Sequence, residues 1–366
     1  MFWQKNMEVT KMGIKQRVMD YFLSKSNSYH FYKEQYEELI NKKNNKQIIV
    51  DNYDSEDLAI LKANFNQYKK ITDNYIESYN HLFNTIFLDY KLEPRPLLAG
   101  LQGICVELLE FCDNICKKYD LQWWIDFGNL IGAVRHEGFV PWDDDTDIGM
   151  MRQDYIKFNE VLPKEIEKYN LNDMLTISYR KRPIDDDKIN TFLQLFVVDK
   201  DHEGHRALLA GVDVFPYDYL KEFDPENIDS LYYETKLKYF RDISKGIGME
   251  KSIENYFDNL NLSFDESDYV IHAVEGACGP RNLYKLFIVE KDTLFPLKRM
   301  KYMDKMFPCP NDHETYLRSV YGDYMQIPKS IRTHRRVNNF RYVDDAPEKF
   351  QNYIDILKEV NENFEF

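Results

Sequence analysis

Four carboxylates fall within five consecutive positions, Asp143, Asp144, Asp145 and Asp147. Side chains this close repel one another, and a divalent cation with a taste for hard oxygen ligands is the common compensation. In an extended strand residues i and i+2 share a face. Asp145 and Asp147 are therefore expected to project together, about 7 Å apart, ready to hold Mg²⁺ or Mn²⁺. Asp143 has the parity of that pair. Asp144 and Thr146 are expected on the opposite face, and Ile148 should turn into a core. A solvated acidic turn after Pro141 is the competing reading, because Asp is common in turns.

The surrounding residues favour the strand. An apolar run from Trp123 to Phe127 ends in Gly128-Asn129, and apolar residues flank the acidic cluster on both sides. Upstream, Leu101, Cys105, Leu108, Leu109, Cys112 and Cys116 recur at helical spacing and predict a helix from about Leu97 to Lys118. Downstream, Arg152 to about Lys168 has Tyr155, Phe158, Leu162, Ile166 and Tyr169 on one side and predicts a second. Strands are expected at Met174 to Tyr179, Phe192 to Val198 and Ala207 to Phe215, with a charged hairpin or loop over Arg180 to Lys188. A helical stretch from about Pro225 to Lys245 should end at Gly246-Ile247-Gly248. Before all of this, Leu58, Leu61, Phe65, Tyr68, Tyr75, Tyr79 and Leu82 recur at threes and fours and predict one long amphipathic helix from Asp54. Pro94 and Pro96 interrupt the pattern. The expected division is an N-terminal helical accessory region, 1–95, and a catalytic domain, 96–366. The expected class is α+β, a small mixed sheet flanked by helices with the carboxylates at one edge.

The stretch from Trp123 to Met150 resembles the signature of the LicD family, to whose broad group the fukutin-related proteins belong. Asp126, Gly128, Gly132, Arg135, His136, Gly138, Phe139, Pro141, Trp142 and the Asp cluster fit the family pattern. Asn129 departs from it, standing where Thr or Ser is usual. Gly211 to Asp218 (GVDVFPYD) and Tyr321 to Met325 (YGDYM) resemble two later family blocks, so the likeness runs from about Leu97 to about Arg336. It implies a nucleotidyltransferase-type fold. It also implies transfer of phosphocholine, or a related phospho-alcohol, from a CDP-linked donor such as CDP-choline to a sugar hydroxyl of a glycan or lipid-linked precursor.

That chemistry assigns roles. Asp145, Asp147 and Asp213 would hold Mg²⁺ or Mn²⁺ at the donor diphosphate, and Asp213 could instead take the proton of the sugar hydroxyl. Gly128 and Asn129 would let backbone approach phosphate closely. Arg135 and His136, and more weakly Arg152, would contact phosphate oxygens, unless they form surface salt bridges with the acidic cluster. A choline head group calls for aromatic faces, and Trp124, Trp142, Tyr217, Tyr321 and Tyr324 are the local supply. Transfer of ribitol phosphate, glycerol phosphate or phosphoethanolamine, and a non-catalytic glycan-assembly role, remain the alternatives.

Composition narrows the setting. The 366 residues carry 62 acidic and 48 basic side chains, a net charge of −14, which argues against a nucleic-acid-binding surface. No run of about 20 apolar residues predicts a membrane span. Met1 to Asn6 lacks the apolar core of a signal peptide, so a cytoplasmic protein is expected, meeting any lipid-linked acceptor at the inner face of the membrane. The five cysteines show no paired metal-site spacing and are expected reduced in a core.

Overall fold

The structure is a computed structural model that describes residues 55–82, 84–85, 93–184, 187–200, 208–276, 287–326 and 345–366. The chain divides into two units, Met1–Asp89 and Tyr90–Phe366. The polar, Lys- and Asn-rich stretch before residue 51 lies outside the described residues.

In the first unit, α1 spans Ser55–Leu82, within one residue of the expected start. Its side chains divide into two adjoining stripes. Phe65, Tyr68, Thr72 and Ile76 are half-buried, whereas Ile71, Tyr75, Tyr79 and Leu82 are exposed.

The second unit opens with α2, Pro96–Lys118, with Pro at its first turn, where the missing N–H costs nothing. Then follow β1 (Trp123–Ile125), α3 (Phe127–His136), β2 (Thr146–Met151) and α4 (Arg152–Lys168). Strand β3 spans Leu175–Ile184, β4 Asp187–Val198 and β5 Leu208–Leu220. The hairpin expected over Arg180 to Lys188 is present, but the strands run further into it. Helices α5 (Ile228–Ser244) and α6 (Met249–Leu260) flank the expected Gly break. The chain continues through β6 (Leu262–Ser263), β7 (Tyr269–His272), β8 (Ile288–Glu290) and the short α7 (Lys291–Leu294). A two-stranded ribbon, β9 (Lys298–Tyr302) and β10 (Lys305–Cys309), precedes α8 (His313–Tyr321) and α9 (Ala346–Glu362).

The mixed α+β architecture is as expected. The main sheet runs β1-β2-β5-β4-β3, and β2 and β5 are its parallel pair. The carboxylates do not sit on an edge strand: β2 and β5 are both interior to this order. Strand β5 pairs with β4 as far as Val214 and with β7 from Tyr217. Pro216, which has no N–H to give, falls where that partner changes.

The main core joins this sheet to α2, α4 and α9. Helices α2 and α9 approach closely because Gly100 and Gly103 present no side chain: a Cβ there would come within 2.9 Å of Phe350 and 2.7 Å of Ile354. A smaller core lies beneath α5 and α6, around Tyr232, Tyr239, Phe240 and Tyr256. Cys105, Cys112, Cys116 and Cys309 are buried and unbridged. No described helix is long and apolar enough to cross a membrane.

Candidate active site

The site is built on the turn from β1 into α3. Asp126 caps α3, its carboxylate accepting from Phe127 N–H at 2.8 Å. Phe127 takes φ +41°, a left-handed conformation unusual for a bulky residue and of the kind that collects at functional sites. The Asp126 carboxylate is fully buried and also accepts from Tyr316 Oη at 3.0 Å and Tyr217 Oη at 2.5 Å. Burial pushes it up to about 6, against the pull of those hydroxyl and amide donors. Its backbone N–H donates to Asp147 O at 3.0 Å, so the β1 end and the β2 start are tied together.

Asn129 makes the second tie. Its Oδ1 accepts from Asp147 N–H at 2.5 Å and its Nδ2 donates to Tyr302 Oη at 2.7 Å. Gly128 makes room: a Cβ at that position would lie 2.7 Å from Asp143 Oδ2. The Asp143 carboxylate thus nests against the start of α3, where the helix dipole favours negative charge.

Carboxylate oxygens of Asp143, Asp144 and Asp145 lie within 4.8 Å of one another. Asp144 joins this group rather than facing away, because β2 begins only at Thr146 and the alternation of a strand does not reach back to 144. Thr146 does turn inward and donates to Gly211 O at 2.8 Å. Asp147 lies on β2 directly across the parallel ladder from Asp213 on β5. Gln194, opposite Asp213 on β4, donates to its Oδ1 at 2.8 Å. Asp213 sits mid-strand, since β5 continues five residues beyond Phe215.

The electrostatics are one-sided. Burial first, and then the charges of Asp145 and Asp144, hold the Asp143 carboxyl well above the usual range. Burial, followed by Asp145, Asp213, Asp143 and Asp126, does the same to Asp147. Among the described residues, the charges that act on these two groups are other carboxylates. A group of hard oxygens under mutual repulsion fits a divalent cation of the Mg²⁺ or Mn²⁺ type.

Several of the sequence candidates lie elsewhere than expected. Arg152 does not meet phosphate: its guanidinium is buried and binds Asp218 at 2.7 and 2.8 Å and Glu275 through two further bonds. The side-chain amide of Asn129 is spent at both ends inside the fold. Gly128 leaves room for the Asp143 carboxylate. Arg135 lies about 10 Å along the axis of α3 from Gly128. It donates to the carbonyls of Tyr324 and Gln326 at 3.0 and 3.3 Å, and its Nε donates to His136 Nε2 at 3.0 Å. This pair anchors the far end of the helix.

Of the aromatic candidates, Trp124 and Tyr217 are wholly buried and pack on each other with ring centres 5.0 Å apart, so neither can wall a head-group cage. Tyr324 is buried too, with Arg318 over its ring at 5.9 Å. Tyr321 is exposed, and Trp142, next to Asp143, is half-buried.

Four contributors have no role assigned by the sequence. Asp126 fits the family motif, but the sequence gives it no role. Gln194 leaves a signal, a lone amide in the apolar run FLQLF. Tyr302 and Tyr316 leave none, since hydroxyl partners from distant segments have no local pattern.

Residues 120–242 match the family model described as LicD/FKTN/FKRP, nucleotidyltransferase domain. The lipopolysaccharide cholinephosphotransferase LicD of Haemophilus influenzae is 25% identical over 256 residues, covering 63% of this chain and 92% of that protein. An uncharacterized protein of Rickettsia prowazekii is 30% identical over 226 residues, 59% of this chain and 74% of that one. The ribitol 5-phosphate transferase FKRP of Homo sapiens is 31% identical over a 48-residue stretch, 13% of this chain and 10% of its own length.

Proposed function

Because the chain belongs to the LicD family, we propose that it transfers phosphocholine from CDP-choline to a sugar hydroxyl of a glycan or its lipid-linked precursor. The observation that carries the reading is the gathering of Asp143, Asp144 and Asp145 beside Asp147 and Asp213 on the paired strands β2 and β5. The choline donor is favoured over ribitol because the likeness to a cholinephosphotransferase spans 92% of that relative, and that to FKRP only 10%.

Asp145 and Asp147, with Asp143 and Asp144 alongside, would hold Mg²⁺ or Mn²⁺, which when bound screens the donor diphosphate as its bond breaks. Asp213, steadied by Gln194, is the group assigned to take the proton from the sugar hydroxyl. The sugar oxygen then forms its bond to the phosphocholine phosphorus, the bond from that phosphorus to the CMP oxygen breaks, and CMP leaves. Asn129 and Asp126 keep the Asp147 backbone in place, so that the carboxylates need not reorganise when the donor arrives.

The test is a donor panel with Mg²⁺: CDP-choline, CDP-ribitol, CDP-glycerol and CTP. A donor at 100 times its Kd stabilises the protein by about 2.7 kcal/mol, read as a rise in melting temperature. CDP-choline should give the largest rise and should release CMP when a sugar acceptor is added. A larger rise with CDP-ribitol moves the assignment to ribitol phosphate transfer. Stabilisation by CTP with pyrophosphate release moves it to nucleotidyl transfer.

A further inference from the structure

We propose that a row of neutral polar side chains leading away from Asp213, Gln194 on β4 with Ser178 and Thr176 on β3, is a sugar-binding subsite that holds the acceptor. Its role as the acceptor's subsite rests on the transferase reading above; its binding of sugar does not. The backbone register builds the row. Asp147 on β2 pairs with Asp213 on β5, Asp213 with Gln194 on β4, and Gln194 with Ser178 on β3. Residues directly opposite on neighbouring strands share a face. These four side chains therefore stand on one face of the sheet, and Thr176, two residues before Ser178, stands there too. At about 4.8 Å per strand, Ser178 lies about 10 Å from Asp213.

The hydrogen bonding of this row is incomplete. Gln194 is 6% exposed and lies between Leu193 and Leu195, so packing alone would take an apolar residue there. Its Nε2 donates to Asp213 Oδ1 at 2.8 Å. A carboxylate accepts only, which fixes the end of the amide that faces Asp213. Oε1 has no hydrogen-bond partner among the described residues, and neither have Ser178 Oγ and Thr176 Oγ1. Ser178 and Thr176 are half-buried, as are Asp147 and Asp213. A carbonyl this deeply placed is costly to leave unmet, and a ligand that donates to it removes the cost.

The chemistry of the row selects a polyol. Two hydroxyls and an amide carbonyl offer donors and acceptors without charge. Sugar hydroxyls, which also donate and accept, are met by such groups, whereas phosphate calls for cations or backbone amides. Position agrees. The acidic cluster and the assigned metal lie on the β2 side of Asp213, which is the donor's side. The hydroxyl whose proton Asp213 takes comes from the other side, where the row begins. Rings flank Gln194 two residues away in each direction on the same face. Phe196 lies over Gly211, where a Cβ would come within 2.3 Å of its ring, and Phe192 meets Phe215 with ring centres 4.4 Å apart. Such walls suit the apolar C–H faces of a sugar ring.

The experiment offers the full chain, with Mg²⁺, a panel of free glucose, galactose, N-acetylglucosamine and N-acetylgalactosamine, followed by saturation-transfer NMR on the sugar protons. The wild type should saturate at least one of them. Ser178→Trp, which fills the row with a ring, should abolish that signal. CDP-choline should still raise its melting temperature as it does for the wild type, because Ser178 is three strands away from Asp147. The near-isosteric double variant Ser178→Ala, Thr176→Val carries the same test should the Trp variant fail to fold, with the sugar Kd up at least 10-fold. Tyr179→Phe, on the opposite face of β3 where its hydroxyl donates to Asn159, should change neither measurement. A wild type that saturates none of the sugars overturns the proposal, and so do variants that bind sugar as tightly as the wild type. Joint loss of sugar and CDP-choline binding assigns the row to the donor and overturns it as well. The transferase reading fails separately. If no CDP-linked donor releases CMP while the variants still lose the sugar, the subsite stands and the reaction does not.

Discussion

At Asp218 on β5, Arg152 closes a two-pronged ion pair at 2.7 and 2.8 Å and reaches Glu275 as well. At Asp213, five residues earlier on the same strand and about 17 Å away, Asp147 stands across the ladder and the Gln194 amide donates to the carboxylate. Burial raises the Asp218 carboxyl and Arg152 pulls it back down. Near Asp213, burial raises Asp147, and the charges of Asp145, Asp213, Asp143 and Asp126 raise it further. One chain thus treats acidic groups in two ways. Where they serve the fold, a cation from the protein compensates them. At the start of β2, beside the N-terminus of α3, the described carboxylates raise one another, and the proposed metal ion would compensate them.

The largest effect should come from removing a carboxylate at the gathered end. Asp145→Asn or Asp147→Asn should lower transfer by at least about 10³-fold, because the charge stabilisation at stake is several kcal/mol. Melting temperature at pH 7 should hold or rise, since a repelling charge is gone. EDTA should reproduce the loss of activity in the wild type. A variant that turns over normally breaks the assignment, and one that unfolds shows that the cluster belongs to the fold.

Arg152→Met should do the opposite. It leaves Asp218 and Glu275 buried without their cation, which costs about 3–5 kcal/mol of stability. Urea unfolding reads this directly. Replacing all three residues with apolar side chains of similar volume should recover most of the loss, because such triads contribute little net stability. Failure to recover would mean the triad positions something beyond itself.

Acid should separate the two regions by sign. His272 meets Tyr217 edge-on with ring centres 4.9 Å apart, its Nε2 has no hydrogen-bond partner among the described residues, and burial lowers it to about 4. A histidine held neutral contributes stability above its ordinary value near 6.5 and loses it as pH falls toward 4, by about 3 kcal/mol. Asp143 and Asp147 are raised, so their repulsion is relieved as they take protons, and the metal-free protein gains from them as pH falls. His272→Asn should therefore flatten the acid side of the wild-type stability curve. Asp145→Asn should flatten the opposing slope. An unchanged curve in either variant removes that group from the account.

Asn129→Ala tests the ties beneath the cluster. It leaves Asp147 N–H and Tyr302 Oη without their partner, a penalty of about 1–3 kcal/mol. If the tie positions Asp147, the affinity for Mg²⁺ should fall together with stability. A stability loss with unchanged metal affinity would make the tie purely structural.

The sequence was most readable where the signal is local. Helix α4 begins and ends at the expected residues, and α2 begins one residue early, because apolar periodicity and Pro mark them within a few turns. The acidic cluster was legible for the same reason. What could not be read is pairing at a distance. Arg152 meets Asp218 and Glu275 from 66 and 123 residues away, and nothing near Arg152 announces either. Tyr217 and Trp124 look like site aromatics because they neighbour the motifs, but the strands turn them inward, where Asp126 and Tyr316 take up the Tyr217 hydroxyl. The strand expected to end at Phe215 runs on to Leu220, and the change of partner from β4 to β7 is what lets Pro216 stay in it.

The smallest effect concerns the head group. Choline carries a permanent charge and no hydrogen to donate, so its recognition rests on aromatic faces. With Trp124, Tyr217 and Tyr324 in the core, Trp142 is the half-buried ring directly beside Asp143 and so beside the assigned metal site. Trp142→Ala should weaken CDP-choline binding by about 1–2 kcal/mol, the scale of a desolvated cation–π contact, and CMP binding much less. Tyr217→Ala, by contrast, should act on both ligands alike through the core, because its hydroxyl holds Asp126 and its ring fills the space against Trp124. Titration of both variants with both ligands separates the cases. Equal losses at Trp142 would mark it as a structural neighbour of the cluster, and no loss would leave the choline charge to be met by another aromatic residue.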